Sequence, residues 1–276
     1  MLNKTKLDAI QELQAICEET DKIQLKLNWH SLRNREEKLD FFHYEDNVLV
    51  GFLGLYPFVS TVEVCGMVHP SHRRKQIFTR LFEEAKKIFQ KEKYERILLN
   101  SPAGSKPGKD FLEKLGATYA FSESQMTWKP EELTVDNDIK LRPTTNEDFE
   151  IRVRLFVEGF GLPEEDARSL EKEVAYIENV DQLMIVTEDG PIGYIQVKRE
   201  NQEAWISGFS ILPEHQGKGI GRRVLQRVVK ENAENGYSVH LEVETKNDHA
   251  LKLYESTGFY VVHAQDYYSY KKEMAN

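Results

Sequence analysis

A run of closely spaced glycines is the part of this chain whose residue types point most directly to chemistry. Residues 216–221 read Gln-Gly-Lys-Gly-Ile-Gly, between an apolar, strand-like run at 205–212 and a segment at 222–234 with apolar residues at helical spacing. The first N–H groups of a helix have no acceptor within it and carry the positive end of its dipole. Glycines there let an anion, usually a phosphate, reach the bare backbone. The pattern predicts a strand, an anion-binding turn and a helix.

Two common phosphate-binding motifs do not match this turn. A Walker loop ends in Lys followed by Ser or Thr, whereas Gly221 is followed by Arg222. The dinucleotide fingerprint is G-x-G-x-x-G, and the order here is G-x-G-x-G. The ligand is therefore predicted to be a different phosphorylated molecule.

Two further motifs follow the turn along the chain. Residues 241–243 read Leu-Glu-Val, and residues 247–259 fit N-x-x-A-x-x-x-Y-x-x-x-G-F. Together with the turn, and in this order, they resemble the GCN5-related N-acetyltransferases, the GNAT family. The resemblance implies an α/β fold with a mixed, mostly antiparallel central sheet flanked by helices. It also implies transfer of an acetyl group from acetyl-CoA to a primary amine of a small molecule or peptide.

The resemblance assigns cofactor contacts to three places in the sequence. The pyrophosphate would bind the turn, with Lys218 and Arg222 adding charge at its edge. Pantetheine would lie like an extra strand beside the end of the preceding strand, and Asn247 would hold the far side of the cofactor, although it could equally cap the next helix. The full predicted set is Phe209, Ser210, Ile211, Gln216, Gly217, Lys218, Gly219, Ile220, Gly221, Arg222 and Asn247.

The resemblance also implies a general acid and a general base. Tyr254 would protonate the departing thiolate, because the pKa of a phenol, about 10, lies above that of an alkyl thiol. Strand alternation places His240, Glu242 and Glu244 on one face, and Glu242 has the position of a catalytic glutamate in relatives that acetylate protein N-termini. Proton removal through water by Glu203 or Glu244 stays open, as does a Glu242 without any role in proton transfer.

The chain contains the pattern twice. Pro70 corresponds to Pro213, an offset of 213 − 70 = 143, and Gly116 corresponds to Gly258, an offset of 258 − 116 = 142. A near-constant offset over most of the chain indicates duplication rather than a short-period solenoid. The sequence therefore predicts two tandem GNAT folds, at 1–130 and 139–276, with a linker at 129–138.

The first copy has lost residues on which the assignment depends. At the positions that correspond to the three turn glycines it has Arg74, Gln76 and Phe78. Leu112 corresponds to Tyr254, and Ser105 corresponds to Asn247. Gln76 should crowd a pyrophosphate that rests on the backbone, although the basic side chains nearby could still hold an anion. We expect the first copy to be a scaffold, a lid or an interaction surface, with coenzyme A binding there a minor alternative. The second copy would be the catalytic one.

Hydrophobic periodicity and turn residues predict the elements that position these residues. In the first copy we expect helices at 6–20 and 29–38, a hairpin at 39–56, strands at 60–68, 96–100 and 118–128, a helix after Pro70 and one at 109–115. In the second copy we expect a strand at 139–143, a helix that ends at about 158 and another helix at 164–178. We also expect a hairpin at 182–199 that turns at Asp189, and a final strand at 267–271.

Composition limits the classes of function. The net charge of −9 argues against a surface built to bind nucleic acid or anionic lipid. Cys17 and Cys65 form no disulfide framework, the histidines form no predicted metal site, and no apolar run is long enough for a membrane span. We therefore expect a cytoplasmic monomer or homodimer without a metal. The alternative to an enzyme is a non-catalytic acyl-CoA sensor or assembly module.

Overall fold

The structure, a computed structural model, describes residues 2–35, 37–92, 94–133, 139–174, 180–188 and 190–271. Its contacts divide the chain into two compact units, Met1–Glu123 with His263–Asn276, and Ser124–Val262. The division falls inside two strands rather than in a linker. The ranges 1–130 and 139–276 stay a prediction about the duplicated copies, and residues 134–138 of the expected linker lie outside the described residues.

Eight α-helices and eleven strands are described. The helices are α1 (Lys4–Asp21), α2 (Trp29–Asn34), α3 (Ile77–Lys91), α4 (Lys106–Lys114), α5 (Phe149–Phe160), α6 (Glu164–Val174), α7 (Ile220–Glu234) and α8 (Asp248–Glu255). The strands are β1 (Asp40–Glu45), β2 (Val48–Phe58), β3 (Thr61–Val68), β4 (Arg96–Pro102), β5 (Thr118–Trp128), β6 (Lys140–Pro143), β7 (Val180–Thr187), β8 (Gly190–Glu200), β9 (Glu203–Ile211), β10 (Ser238–Glu244) and β11 (Phe259–Ser269).

The first unit has helices on both faces of its sheet. Strands β1, β2 and β3 pair in antiparallel order, β4 joins β3 in parallel, and residues 265–269 of β11 pair with β4 in antiparallel order. Because side chains alternate along a strand, β2 and β3 supply both faces. Buried residues of α1 pack on one of them with Phe52 and Met67, and buried residues of α3 pack on the other with Val62 and Val64.

The second unit repeats this arrangement. Strands β6, β7, β8 and β9 pair in antiparallel order, and β10 joins β9 in parallel. Helix α7 packs its apolar face on β9 and β10, and Phe156 of α5 packs edge-on against Tyr194 of β8. Arg152 of α5 and Glu171 of α6 form a buried ion pair that joins those two helices. The prediction of a mixed, mostly antiparallel sheet flanked by helices is confirmed.

Some predicted elements differ from the structure. The second helix ends at Asn34 instead of Lys38, because Glu37–Leu39 form a single 3-10 turn before β1. The last strand begins at Phe259 and ends at Ser269, whereas it was expected at 267–271. The hairpin turn at Asp189 and the end of the helix expected at 164–178 fall on residues outside the described ranges. Cys17 and Cys65 are free and buried, in keeping with a packing role.

The start of α5 provides a test of stability that is independent of function. Asp148 is 3% exposed. Its carboxylate accepts two hydrogen bonds of 2.7 Å from Arg142 and one of 2.7 Å from the Thr145 N–H. These contacts, with Arg142 first, lower the pKa of Asp148 to about 2. Because an unfolded aspartate has a pKa of about 3.9, the contacts stabilise the fold above pH ~4, and the contribution disappears as the pH falls through ~2.

We therefore expect Asp148→Asn to lower the free energy of unfolding by about 2 kcal/mol at pH 7. The difference from the original protein should shrink between pH ~4 and ~2, because the protonated aspartic acid no longer gains from Arg142. Denaturant unfolding at several pH values measures it. Glu147→Gln, an exposed neighbour in the same turn, serves as the control and should change little. A constant difference across this pH range would show that the ion pair is not the cause.

Candidate functional site

The glycine turn links β9 to α7 through one turn of 3-10 helix at Pro213–His215. Gly217 and Gly219 have φ angles of +73° and +74°, in the left-handed region that side chains rarely adopt, and Gly219 is the residue immediately before α7. A Cβ added at either glycine would meet no atom within 4 Å. The space in front of the turn is therefore open, and both glycines are explained by backbone conformation and access rather than by packing.

The turn presents a row of backbone donors. Within the described ranges, no acceptor is found for the N–H groups of residues 217–222, and the first turn of α7 contains no acidic residue. Lys218 is exposed and has no ionic partner in the described part of the chain. Free N–H groups, the helix dipole and a neighbouring cation together form a site for an anion. The geometry thus fits the pyrophosphate expected from the sequence.

Four residues assigned to the turn have neighbours within the protein. Gln216 donates from Nε2 to the carbonyl of Ile211 at 2.7 Å, which fastens the turn to the end of β9. Arg222 donates a hydrogen bond of 3.0 Å to Oγ of Ser256, the residue that follows α8. A Cβ on Gly221 would lie 3.4 Å from Leu253 of α8, which is an ordinary packing distance. Ile220 is 6% exposed and packs in the core, which leaves only its N–H for a ligand.

Strands β9 and β10 separate before the turn, at the place where pantetheine is expected. Their parallel register ends at Ile206 and Leu241, although β9 continues to Ile211 and β10 to Glu244. A bulge lies in β9, where the register with β8 shifts next to Gly208, whose φ is +59°. A bulge bends its strand and disrupts the local ladder. We infer that it turns the end of β9 away from β10.

The bulge was missed in reading the sequence, although the repeat contains a signal for it. The last paired residues of the two units, Val64 and Ile206, differ by 206 − 64 = 142, whereas the prolines that follow differ by 213 − 70 = 143. The second unit therefore has one extra residue between its last pair and its turn. In the first unit β2 and β3 pair without a shift from Gly51 with Val68 to Phe58 with Thr61.

The residues expected beside pantetheine differ in their burial and in their hydrogen-bond partners. Phe209 is half-buried against the core of the second unit, and Ile211 is 9% exposed. Ser210 is buried and donates to the carbonyl of Leu155 in α5 at 3.3 Å. Asn247 accepts from the Ala250 N–H at 3.0 Å, so its side-chain oxygen caps α8. The capping role that was left open in the sequence is therefore present.

Tyr254 has an environment suited to a proton donor. It is 8% exposed and packs edge-on against Phe259 with ring centroids 6.0 Å apart. Burial raises the pKa of Tyr254 to about 12, which keeps the phenol protonated at neutral pH. In the described part of the chain its hydroxyl has no hydrogen-bond partner. A hydroxyl that no protein group uses is available to a ligand.

The candidate bases lie on one face of β10. Exposure alternates along the strand as predicted, with Glu242 and Glu244 exposed and the intervening Val243 buried. His240 stacks on Trp205 with ring centroids 5.0 Å apart, and burial lowers its pKa. Glu203 accepts from Trp205 Nε1 at 2.9 Å. Glu203 is thus hydrogen-bonded to Trp205. Glu242 is exposed on the face of β10 that carries His240.

The first unit has the same turn with other residues. Arg74 and Gln76 have φ angles of +66° and +61°, so two non-glycine residues adopt the conformation of Gly217 and Gly219. Leu112 is 4% exposed and packs in the core, and Ser105 caps α4 by accepting from the Gly108 N–H at 3.2 Å. The backbone of the turn is therefore retained, whereas the phenol is not.

The comparisons with known proteins agree with this geometry. The sequence profile of the acetyltransferase (GNAT) family matches residues 7–117 and 149–259, well over half of the chain. The chain belongs to this family. The two matches confirm a tandem GNAT protein, and two solved structures show the same fold. One is a GCN5-related N-acetyltransferase from Sphaerobacter thermophilus, with a TM-score of 0.76 and 19% identity, covering 97% of this chain and 93% of that one.

The second structure is a tandem GNAT protein from the clavulanic acid biosynthesis pathway, with a TM-score of 0.71 and 16% identity, covering 99% of this chain and 97% of that one. Among curated GNAT relatives, N-alpha-acetyltransferase RimI of Mycobacterium tuberculosis is 39% identical over 72 residues, 25% of this chain and 44% of RimI. Spermine/spermidine N(1)-acetyltransferase of Bacillus subtilis is 32% identical over 62 residues, 22% of this chain and 41% of that enzyme. The matches thus span less than half the length of either relative.

The described residues contain neither a metal-ligand cluster nor a membrane-spanning helix. No group of three or more His, Cys, Asp or Glu side chains is arranged to hold a metal ion in the described ranges. None of the helices in the described part of the chain is long and apolar enough to cross a membrane.

Proposed function

We propose that this GNAT protein transfers an acetyl group from acetyl-CoA to a primary amine of a small molecule or peptide, and that its second unit is the catalytic one. The observation that carries the proposal is the row of free N–H groups at 217–222 in front of open space. The separated strands, the bulge at Gly208 and the free hydroxyl of Tyr254 support it. Within the described residues, the first unit lacks the bulge and the hydroxyl.

Each residue has a defined task in this proposal. The N–H groups after Gln216 hold the pyrophosphate, with Lys218 at the edge and Arg222 braced by Ser256. Pantetheine extends beside residues 209–211, and Asn247 borders it from the start of α8. Glu242 takes a proton from the acceptor ammonium, so that the neutral amine attacks the thioester carbonyl. As the carbon–sulfur bond breaks, Tyr254 gives its proton to the leaving sulfur, and the second proton that the nitrogen loses in forming the amide returns to Tyr254 through water.

The proposed class of acceptor rests on the names of two relatives and on the face of β10 that carries Glu242 and Glu244. One relative is named for acetylation of an α-amine and another for acetylation of spermine and spermidine. Glu242 and Glu244 are exposed carboxylates that would attract an ammonium group. A basic amine is therefore the acceptor that we propose, either on a small molecule or at the N-terminus of a peptide.

An acetylation assay over a panel of amines tests the proposal. Amino acids, polyamines and short peptides are each mixed with acetyl-CoA, and released thiol and acetylated amine are measured together. We expect at least one amine to yield both products in equal amounts. A sensor would bind acetyl-CoA and release no thiol beyond slow hydrolysis with any amine, and that outcome would favour the non-catalytic alternative.

A further inference from the structure

The first unit contains a cavity of about 760 Å³ between parts of β3 and β4 that do not pair with each other. The parallel register of these strands ends at Val64 and Leu99, although β3 runs on to Val68 and β4 to Pro102. The volume lies within the range of roughly 300–1,000 Å³ that is usual for small-molecule sites. The cavity is therefore large enough for a ligand that would lie between the two strands.

Its rim carries positive charge that no acidic side chain of the described residues balances. Arg74 and Lys114 line the cavity and have no ionic partner in the described part of the chain. Two acidic residues also line it, but Asp21 is bound by Arg73 at 2.7 Å and Asp110 is paired with Lys106 at 3.3 Å.

The start of α3 adds backbone donors to this charge. Within the described ranges no acceptor is found for the N–H groups of residues 74–78, which belong to the turn and to the first residues of α3. An anionic group is favoured at that end of the cavity.

Buried apolar side chains form a large part of the walls, together with a few buried polar ones. Met67, Ile77 and Leu112 are buried side chains of the lining. Asn100 also lines the cavity, and its Nδ2 atom is buried without a hydrogen-bond partner in the described residues. A buried amide donor without a partner is costly, so an acceptor supplied by a ligand would satisfy it. The walls thus favour an apolar ligand that carries a carbonyl group.

Side chains at the turn of this unit leave less room for a diphosphate than the glycines of the second unit do. In the second unit the space in front of Gly217 and Gly219 is empty within 4 Å of an added Cβ. In the first unit Arg74 and Gln76 adopt the same backbone conformation and place side chains there. A smaller anion can still meet the guanidinium of Arg74 and the end of α3, and a carboxylate has the matching geometry.

We propose that the first unit binds an extended, amide-bearing carboxylate, such as an N-acylated dipeptide, and does not react with it. The carboxylate binds Arg74 and the first N–H groups of α3, the amides run along the separated edges of β3 and β4, and an apolar side chain contacts Leu112. Leu112 and Asn100 occupy the positions of Tyr254 and Glu242, at 254 − 142 = 112 and 242 − 142 = 100. Neither can transfer a proton, so the ligand leaves unchanged. This inference does not rest on the catalytic assignment.

Titration calorimetry of the full chain with N-acetyl-leucyl-leucine tests the proposal. We expect one binding event per chain, weakened about tenfold or more when the probe carries a carboxamide instead of the carboxylate. Arg74→Glu should weaken binding of the carboxylate by a similar factor. Lys87→Glu makes the same charge change at an exposed position of α3 outside the lining, and it should leave binding unchanged.

A second variant tests the location through volume rather than charge. Leu112→Phe extends a side chain into the cavity and should also weaken binding, provided that the unfolding transition of the variant stays cooperative. Absence of binding would overturn the proposal, as would binding that Arg74→Glu leaves unchanged, which would place the probe in the second unit. Displacement of the probe by acetyl-CoA in the Arg74-dependent site would also overturn it, because the turn would then accept a diphosphate.

Discussion

Replacing Gly219 with glutamine is expected to weaken acetyl-CoA binding by about 100-fold or more, with little loss of folding stability. A glutamine side chain would occupy the open space in front of the turn, where no protein atom lies within 4 Å. The loss of two charge-assisted hydrogen bonds, each worth about 1.5–3 kcal/mol, accounts for the factor. The left-handed backbone costs a non-glycine residue only about 1 kcal/mol. Gln76 shows that glutamine adopts this conformation in the equivalent turn.

Gly236→Gln is the matched control for this variant. Gly236 also has a positive φ, +83°, and an added Cβ there would meet no atom within 4 Å. It lies in the turn after α7, at the opposite end of that helix from Gly219. Calorimetry should find one acetyl-CoA site per chain in the original protein and in Gly236→Gln. Equal affinity in Gly219→Gln would remove the turn from the cofactor site.

The sequence was informative where a backbone requirement restricts the residue type. Gly217 and Gly219 were recognised because a left-handed turn in front of a ligand favours glycine. The alternation along β10 was also correct, because one face of that strand is buried and the other exposed. These features depend on a few neighbouring residues, so that the local pattern is sufficient to predict them.

Two features that depend on the exact register between strands were not predicted. The bulge at Gly208 is defined by its register with β8, and a single glycine in a strand does not show which partner residue it opposes. The last strand was placed too late because its register with β4, from Gln265 with Pro102 to Ser269 with Leu98, joins parts of the chain far apart in sequence. Non-local pairing leaves little trace in a local pattern.

The turn of the first unit keeps its backbone conformation although its glycines are replaced. The sequence predicts that Gln76 crowds a pyrophosphate there, and it leaves open that the basic side chains nearby hold an anion. In the structure Arg74 and Gln76 keep the left-handed conformation, at a modest cost in strain. Both residues also line the cavity between β3 and β4, so the retained turn borders the proposed ligand site.

The proposed base and the proposed acid lie in different environments. Glu242 and Glu244 are both exposed on one face of β10, and Glu203 is hydrogen-bonded to Trp205. Exposure suits a carboxylate that contacts an acceptor. Tyr254, by contrast, is buried, and its hydroxyl has no partner in the described part of the chain.

Replacing Tyr254 with phenylalanine is expected to lower kcat by about 10² to 10³, with acetyl-CoA affinity changed less than threefold. A positioned general acid contributes roughly 10² to 10⁴ in rate. We expect the lower part of that range, because burial raises the pKa of Tyr254 to about 12 and makes the phenol a weaker acid than free tyrosine. Its proton is retained at every pH below ~10, so Tyr254 should cause no loss of activity on the alkaline side up to that pH. Only the hydroxyl is removed, so the packing on Phe259 should be preserved.

Steady-state kinetics with the best amine from the panel, and calorimetry with acetyl-CoA, separate the rate from the binding. Tyr260→Phe makes the same chemical change on a residue that is 49% exposed, and it should leave both unchanged. A Tyr254→Phe variant with full kcat would show that the leaving thiolate takes its proton from elsewhere. A variant that lost rate and cofactor affinity in the same proportion would make Tyr254 a binding residue, because a group that acts only in the transition state lowers kcat without weakening the ground-state complex.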